Sequence, residues 1–378
     1  MNVNYFLQFL RYCLDDSLKL PESAKDMNWE NMLAWAERQS IVGIVYYGIE
    51  KAGKSLSLPF EILVQWIGYS QMIKVKNQLV NNRCVEICQK FSNDGLETCI
   101  LKGQGNAMMY PISLLRTPGD IDLYVLQKFQ KSRKDIIRYV KEYNPKGRTL
   151  YHHIDYGEYK GVEVEVHYRP SFMLNPIHNY RLQRWFSKMA DDGWRMAELP
   201  EDAGSIRIPN GEFNIIFQLS HIYNHLLHEG IGLKQVVDYY YLLKTNTNHT
   251  HDTNEVGFAE TTKIAELLKY MGLEKIAGAM MWVLGYLVHG EGFMVHSSKR
   301  DDWMICEPDE KRGKVLLAEI MKGGNFGHYD VENQKANSAV KKNIQRVKRD
   351  IRMMRYFPSE CLWEPFFRLY HWGWRLAH

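Results

Sequence analysis

Leu101-Lys102-Gly103-Gln104-Gly105, a short connection, and then Gly119-Asp120-Ile121-Asp122-Leu123-Tyr124-Val125 form the stretch on which the fold turns. Thr98 to Leu101 is a short apolar run that ends in a glycine turn, the pattern of a strand entering a tight loop. Ile121, Leu123 and Val125 alternate with Asp120, Asp122 and Tyr124. A period of two marks a strand, here with both aspartates on one face. Adjacent carboxylates repel, and a cation that screens them relieves the repulsion. Hard oxygen ligands suit Mg²⁺, which binds through one or two carboxylates together with substrate phosphates. The alternative is a solvated strand face carrying acids by chance, and only context separates the two readings.

Context adds a third acid. In Val162-Glu163-Val164-Glu165-Val166-His167 the valines share one face, and Glu163, Glu165 and His167 share the other. Tyr151 to Tyr156 reads as its partner strand, and Gly157-Glu158-Tyr159-Lys160-Gly161 as the hairpin loop between them. With this hairpin beside the aspartate strand, a third carboxylate meets the first two. Three carboxylates can hold two divalent ions, the arrangement used for in-line phosphoryl and nucleotidyl displacement.

A strand, a glycine turn, a short helix, Asp-hydrophobic-Asp and a third acid on a later strand resemble the DNA polymerase beta-like nucleotidyltransferases. The wording Leu101-Lys102-Gly103, Tyr110-Pro111, Arg116, Asp120-Ile121-Asp122 and Glu165-Val166-His167 is most similar to a poorly characterised bacterial branch of that superfamily. The resemblance is sharp over residues 96–170 and diffuse in the flanks. It implies that Gly103 is the turn glycine that approaches a triphosphate. It also implies that Asp120 and Asp122 are metal ligands and Glu165 the third acid. The superfamily prefers Gly-Ser or Gly-Gly at the turn, where this chain has Gly103-Gln104. In the family a His-rich helix followed by an Asp-bearing helix packs behind the nucleotide site, which makes His221, His225 and Asp238 candidates for site support or acceptor binding.

The 378 residues suffice for two or three domains at roughly 150 residues each. Hydrophobic residues at 45%, with 13% aromatics, are ample for packed cores, and a net charge of +4 is small for a bulk nucleic-acid binder. Of six cysteines only Cys84 and Cys88 are close, and no second pair completes a zinc site, so reduced thiols are expected. Gln8, Arg11, Asp15 and Asp16 break the N-terminal apolar run, and no run reaches transmembrane length. A soluble, cytoplasmic protein is expected.

The chain divides into an N-terminal helical region (1–95), an α/β core (96–210) and a C-terminal helical domain (211–378). The fold class is α+β, a small mixed sheet flanked by helices. Helical periodicity runs from Glu61 to Phe91 and stops at Asn93-Asp94-Gly95. A short helix is expected over Gly105 to Tyr110, ended by Pro111, and a capping box at Ser132-x-x-Asp135 opens another. Ile206 to Pro209 is a candidate edge strand. Lys102 and Arg116 are the nearest cations to the turn; either binds phosphate, or Arg116 neutralises the aspartates. His221, His225 and His228 share a face of the helix Glu212 to Glu229. With no His-Glu-x-x-His arrangement they read as hydrogen-bonders rather than metal ligands. Asp238, amid Val236, Val237 and Leu242, is placed to orient one of them.

Thr245 to His251 is a polar loop by composition, and Gly323 to Gly327 a helix stop rather than a loop reaching over the site. Seven basic residues crowd 341–355 against Asp350, and the aromatic tail from Trp363 to Trp374 is expected to dock on the helical core. The reading that unites these features is an enzyme. It moves a nucleoside monophosphate from a nucleoside triphosphate to an unknown acceptor hydroxyl, with two Mg²⁺ on Asp120, Asp122 and Glu165. Lys102, Gly103, Gln104 and Arg116 hold the nucleotide, and Glu163 or Glu165 takes the acceptor's proton, near His167. A catalytically inactive nucleotide-binding or protein-interaction module on the same fold is the alternative, kept open by the Gly103-Gln104 turn. Asp122→Asn is expected to remove transfer while leaving stability unchanged or slightly higher, because it takes one charge from a repelling cluster.

Overall fold

The computed structural model describes residues 3–126, 132–250, 256–291, 293, 301–327, 329 and 339–376. Its centre is a four-stranded mixed sheet. Strand β1 (Thr98–Ile100) runs antiparallel to β2 (Ile121–Val125), β2 parallel to β4 (Val162–His167), and β4 antiparallel to β3 (His153–Tyr159). The fold class expected from sequence, a small mixed sheet with helices at both ends, is what the chain adopts.

Alternation in β2 and β4 does what period two demands. Ile121, Leu123, Val164 and Val166 pack at 0–1% exposure against Ile87, Phe91, Ile136 and Val140. The opposite face is left to Asp122, Glu165 and His167. The hairpin is tighter than its glycines suggested. β3 continues through Gly157 with a register shift, and only Lys160 and Gly161 turn, both at positive φ. Two consecutive positive-φ residues are the geometry of a two-residue hairpin turn that follows the twist of the strands. The expected strand at Ile206 to Pro209 is β6 (Gly204–Pro209). It pairs with β5 (Trp194–Leu199) in a separate two-stranded sheet rather than edging the main one.

Helix α4 (Phe60–Asn93) spans 34 residues and stops where Asn93-Asp94-Gly95 indicated, with Gly95 at φ +75°. Its buried stripe is apolar at both ends, with Trp66 and then Val80, Cys84, Ile87 and Phe91, but polar in the middle, with Ser70, Asn77 and Asn81. Asn77 Nδ2 donates to the carbonyls of Leu114, at 2.7 Å, and Arg116, at 2.8 Å. The helix thereby fixes the backbone leading into β2. The short helix after the glycine turn, α5 (Gln104–Ala107), ends before Tyr110, and Ser132 and Asp135 form the expected capping box of α6 (Arg133–Tyr143).

The terminal helical regions share one apolar core, in which Phe6, Phe9 and Leu10 of α1 (Val3–Leu14) pack with residues such as Met280 and Leu287 of α11 (Glu274–His289). Gln39, fully buried, ties them together: its Nε2 donates to the Ile320 carbonyl at 3.1 Å, and its Oε1 accepts from the Leu233 N–H at 2.9 Å. α8 (Gly211–His228) precedes Gly230, and α9 (Leu233–Thr250) carries Asp238. The polar run from Thr245 is therefore helix as far as Thr250, with His251 outside the described residues. Thr247 Oγ1 donates to the Leu243 carbonyl four residues back, which lets a polar residue stay in the helix. None of the six cysteines forms a disulfide. No helix among the described residues is long and apolar enough to cross a membrane.

The tail docks on one face only. In the helix Pro358–Leu376, Cys361, Glu364 and Trp374 are buried, whereas Phe366, Tyr370 and Trp372 are 55–65% exposed. Aromatics on every side of a surface helix cannot all face the core, and the 3.6-residue period decides which do. The helix packs on Ala339–Met354, and Asp350 of one and Glu364 of the other are both buried. Burial, and then the Glu364 charge, push the Asp350 carboxyl up to about 7. A carboxyl raised in the fold opposes folding once ionised. Stability from this group is intact at low pH, falls as pH rises from the ordinary 3.8 through about 7, and then stays low. Asp350→Asn should melt close to wild type at pH 4 and a few degrees above it at pH 8. Thermal melts at both pH values test this; no gain at pH 8 would show that the ionised acid is stabilised where it lies.

Candidate functional site

The site grows from β2. The Leu101 N–H donates to the Asp122 carbonyl at 3.0 Å, which sets the residue after β1 beside Asp122. Lys102 Nζ then lies 3.1 Å from Asp122 Oδ1. On the other side the parallel register puts Glu165 opposite Asp122, on the same face, and His167 opposite Tyr124. His167 Nε2 stands 3.1 Å from the same Asp122 Oδ1 and 3.6 Å from Glu165 Oε2. Asp122, Glu165 and His167 each bring a ligand-type atom within 4.8 Å of the other two. Asp122 is 1% exposed, and its Oδ2 has no hydrogen-bond partner.

The charges explain one another. Burial alone would raise the Asp122 carboxyl, but Lys102 and His167 outweigh it and hold the group well below the carboxylate range. Asp120 moves the other way, raised first by the Asp122 charge and then by burial. Burial works on Glu165 too, yet His167 and His153 bring it down. His167, pulled down by burial, is lifted by the two carboxylates to about 9. His221 is driven far down by burial and then by the Lys102 cation, 3.1 Å from its Nε2. The expectation that Asp122 is mainly repelled is thus corrected: Asp122 is the stabilised acid, and Asp120 carries the repulsion.

A cleft of about 760 Å³, counting its open mouth, lies over these groups. Lys102, Gly103, Arg116, Asp120 and Asp122 line it, joined by Asn106, Gln218, His221, Lys234, Gln235, Asp238, Asn325 and Ser40. Gly103 takes φ +59°, and a Cβ there would sit 3.6 Å from the Asp120 carbonyl, so the turn needs glycine for its conformation.

Several expectations change here. Gln104 does not line the cleft; its Nε2 donates back to Asn81, and to Asn77 at 3.3 Å, leaving only its backbone at the turn. Arg116 neither neutralises the aspartates nor stands free. Its Nε and Nη2 donate to Asp238 at 2.8 and 2.7 Å, while Nη1, buried, has no partner. Asp238 is therefore the counter-ion of Arg116, and it also accepts from the Tyr110 hydroxyl at 2.7 Å; it orients no histidine. His221 and His225 meet through their Nε2 atoms at 2.9 Å, whereas His228 turns to the Asn224 carbonyl. Glu163 is exposed across from Glu158, outside the acid cluster. The glycine-rich stop does end the helix Glu310–Gly323, with Gly324 at φ +64°, and Asn325 immediately after it reaches the cleft.

Lys234 is the residue whose place was least foreseeable. It lies in the first turn of α9, and burial, then the Arg116 charge, lower its ammonium to about 7. Its signal in sequence is faint: a lysine at a helix start reads as solvated. His152 and His153, two consecutive imidazoles entering β3, were legible as an oddity, yet only the fold brings His153 3.4 Å from Glu165.

A family model described as uncharacterised nucleotidyltransferase matches residues 25–285. No curated protein matches. Among solved structures, an antigenic nucleotidyltransferase-like protein from Paracoccidioides brasiliensis is similar over 46% of this chain and 76% of its own. The two are 14% identical with a TM-score of 0.28, too slight a likeness to bear on function.

The buried Arg116–Asp238 pair yields a stability prediction. Asp238→Ala should lower the unfolding free energy by about 3–5 kcal/mol, because it strands a buried guanidinium. Urea denaturation reads this directly; a loss below about 1 kcal/mol would mean that water or a rearranged partner replaces the carboxylate.

Proposed function

Because this chain belongs to the uncharacterised nucleotidyltransferase family, we propose that it moves a nucleoside monophosphate from a nucleoside triphosphate to an acceptor hydroxyl. The observation that carries the reading is the orphaned Oδ2 of Asp122, a residue that lines the cleft with Asp120 and has Glu165 opposite it in register. A buried acceptor atom without a partner, next to a second carboxylate raised by like charge, fits a missing cation. Asp120, Asp122 and Glu165 would hold divalent ions, Mg²⁺ by their hard oxygen chemistry. Such ions, when bound, neutralise phosphate charge and help an attacking hydroxyl lose its proton.

The chain's own residues supply the rest. The Gly103 turn lets the backbone come close to a triphosphate. Lys102, Lys234 and the free Nη1 of Arg116 give cationic donors along the cleft wall, while Asp238 fixes the guanidinium in one orientation. Asn106, Gln218 and Asn325 offer amides suited to a base, a sugar or the acceptor. Glu165, partly exposed and low in pKa, is the acceptor's general base in this reading, with Glu163 set aside because it lies outside the cluster. His221, neutral and against Lys102, keeps that ammonium placed.

A second reading has its own observation. The Lys102 ammonium already rests on Asp122 Oδ1, where it serves as a resident counter-cation. If it stays there when nucleotide arrives, the chain binds nucleotide without transferring it. Transfer of label from an α-labelled triphosphate separates the two.

Asp120→Asn tests the first reading. Removing the carboxylate that suffers the repulsion should leave the apo melting temperature equal or slightly higher. It should also cut transfer by about a thousand-fold or more, as loss of a metal ligand does when several kcal/mol of transition-state stabilisation go. Near wild-type transfer by a normally melting variant would sink the assignment. A thermal-shift screen of the four nucleoside triphosphates with and without Mg²⁺ finds the substrate, since saturation at about a hundred-fold over Kd adds about 2.7 kcal/mol.

A further inference from the structure

Three imidazoles meet beside the acid cluster, and nucleotidyl transfer as proposed gives no task to two of them. His152 directly precedes β3, His153 opens it, and His153 pairs in register with His167 of β4. His152 Nε2 is 3.0 Å from His153 Nδ1. His153 Nδ1 is 3.4 Å from Glu165 Oε2, and His167 Nε2 is 3.6 Å from the same oxygen. One nitrogen of each histidine lies within 4.8 Å of the other two. A tetrahedral ion with bonds of about 2.0–2.1 Å holds its ligand atoms about 3.3–3.4 Å apart. Three separations among these residues, 3.0, 3.4 and 3.6 Å, lie near that edge.

The surroundings point the same way. His167 is 1% and His153 6% exposed. The far nitrogen of His153 stands 3.5 Å from Asp155 Oδ1, where a carboxylate behind a metal-bound imidazole usually sits. Access from solvent is open on the carboxylate side, because the Glu165 side chain is 32% exposed. Donor chemistry chooses the ion: carboxylate and water suit Mg²⁺, whereas imidazoles suit zinc and its first-row neighbours.

We propose that His152, His153, His167 and Glu165 form a site for a first-row transition-metal ion, zinc foremost, that shares Glu165 with the carboxylate site. The ion takes the lone pairs of three neutral imidazoles and the Glu165 carboxylate. Protons held between His152 and His153, and between His167 and Asp122, leave to solvent as it binds. The rival is a proton-bridged imidazole chain that never sees a metal. The site does not require nucleotidyl transfer to be correct.

The full-length chain, stripped with chelator, is dialysed against Zn²⁺ or Co²⁺ in a large excess of Mg²⁺, and bound metal is counted by elemental analysis. One ion per chain should remain, and the Co²⁺ form should show the visible absorption of a four-coordinate ion. His153→Ala, and as a half-buried second variant His152→Asn, should each weaken Zn²⁺ binding by at least about a hundred-fold. Unchanged retention in a variant that melts like the wild type overturns the site, as does displacement of the ion by Mg²⁺. If His153→Ala folds poorly, His152→Asn decides. Asp120→Asn should keep its zinc; loss there would place the ion on the aspartates and overturn the imidazole site. Zinc retained by a chain that transfers no nucleotide supports this site and removes only the functional reading above.

Discussion

An ionised carboxylate with 1% of its surface exposed lies in the middle of the sheet, and its neighbours are arranged around its charge. Removing such a group from water is expensive unless cations and donors replace the water. Asp122 receives Lys102 from the turn after one flanking strand and His167 from the other strand, both on Oδ1. Those two partners bring charges of their own. Burial and then the Lys102 charge drive His221 down, while Asp122 and Glu165 together lift His167. Asp120 is left with too little compensation, and that imbalance is what makes the pair receptive to a further cation.

A second buried pair, Arg116 with Asp238, does for the cleft wall what Lys102 does for its floor. It ties the loop before β2 to α9 across 122 positions of sequence. Two of the three guanidinium nitrogens are used in that tie, and the third is buried without a partner in a residue that lines the cleft. A residue that is both strut and donor is held in one rotamer before any ligand arrives, which lowers the ordering entropy of binding.

Local pattern carried the sheet. Alternation in Ile121 to Val125 and Val162 to His167, the stop at Asn93-Asp94-Gly95 and the Ser132 capping box were all readable, because each is decided within a few residues. The partner of Asp238 was not readable. An acid amid Val236, Val237 and Leu242 announces that it needs a counter-charge but does not say which, and a nearby histidine was the wrong choice. Lys234 and Asn325 were hidden for the same reason: they reach the cleft only through the packing of helices far apart in the chain. The tail misled differently. Its aromatics were counted as if all needed burial, whereas a helix can turn only one side inward.

The polar middle of α4 has a dynamic consequence. Asn77 holds the carbonyls of Leu114 and Arg116, and Gln104 leans on Asn77 and Asn81. Both loops that frame the floor of the cleft are therefore anchored to one 34-residue helix. Water cannot take those carbonyls while the helix stands, so the loops and the helix should lose protection from amide exchange as one cooperative unit. The wall carried by α9 and Asn325 hangs instead on Gln39 and the terminal helices. Breathing of the cleft is then a displacement of wall against a stiff floor, with the Arg116–Asp238 pair as the hinge pin between them.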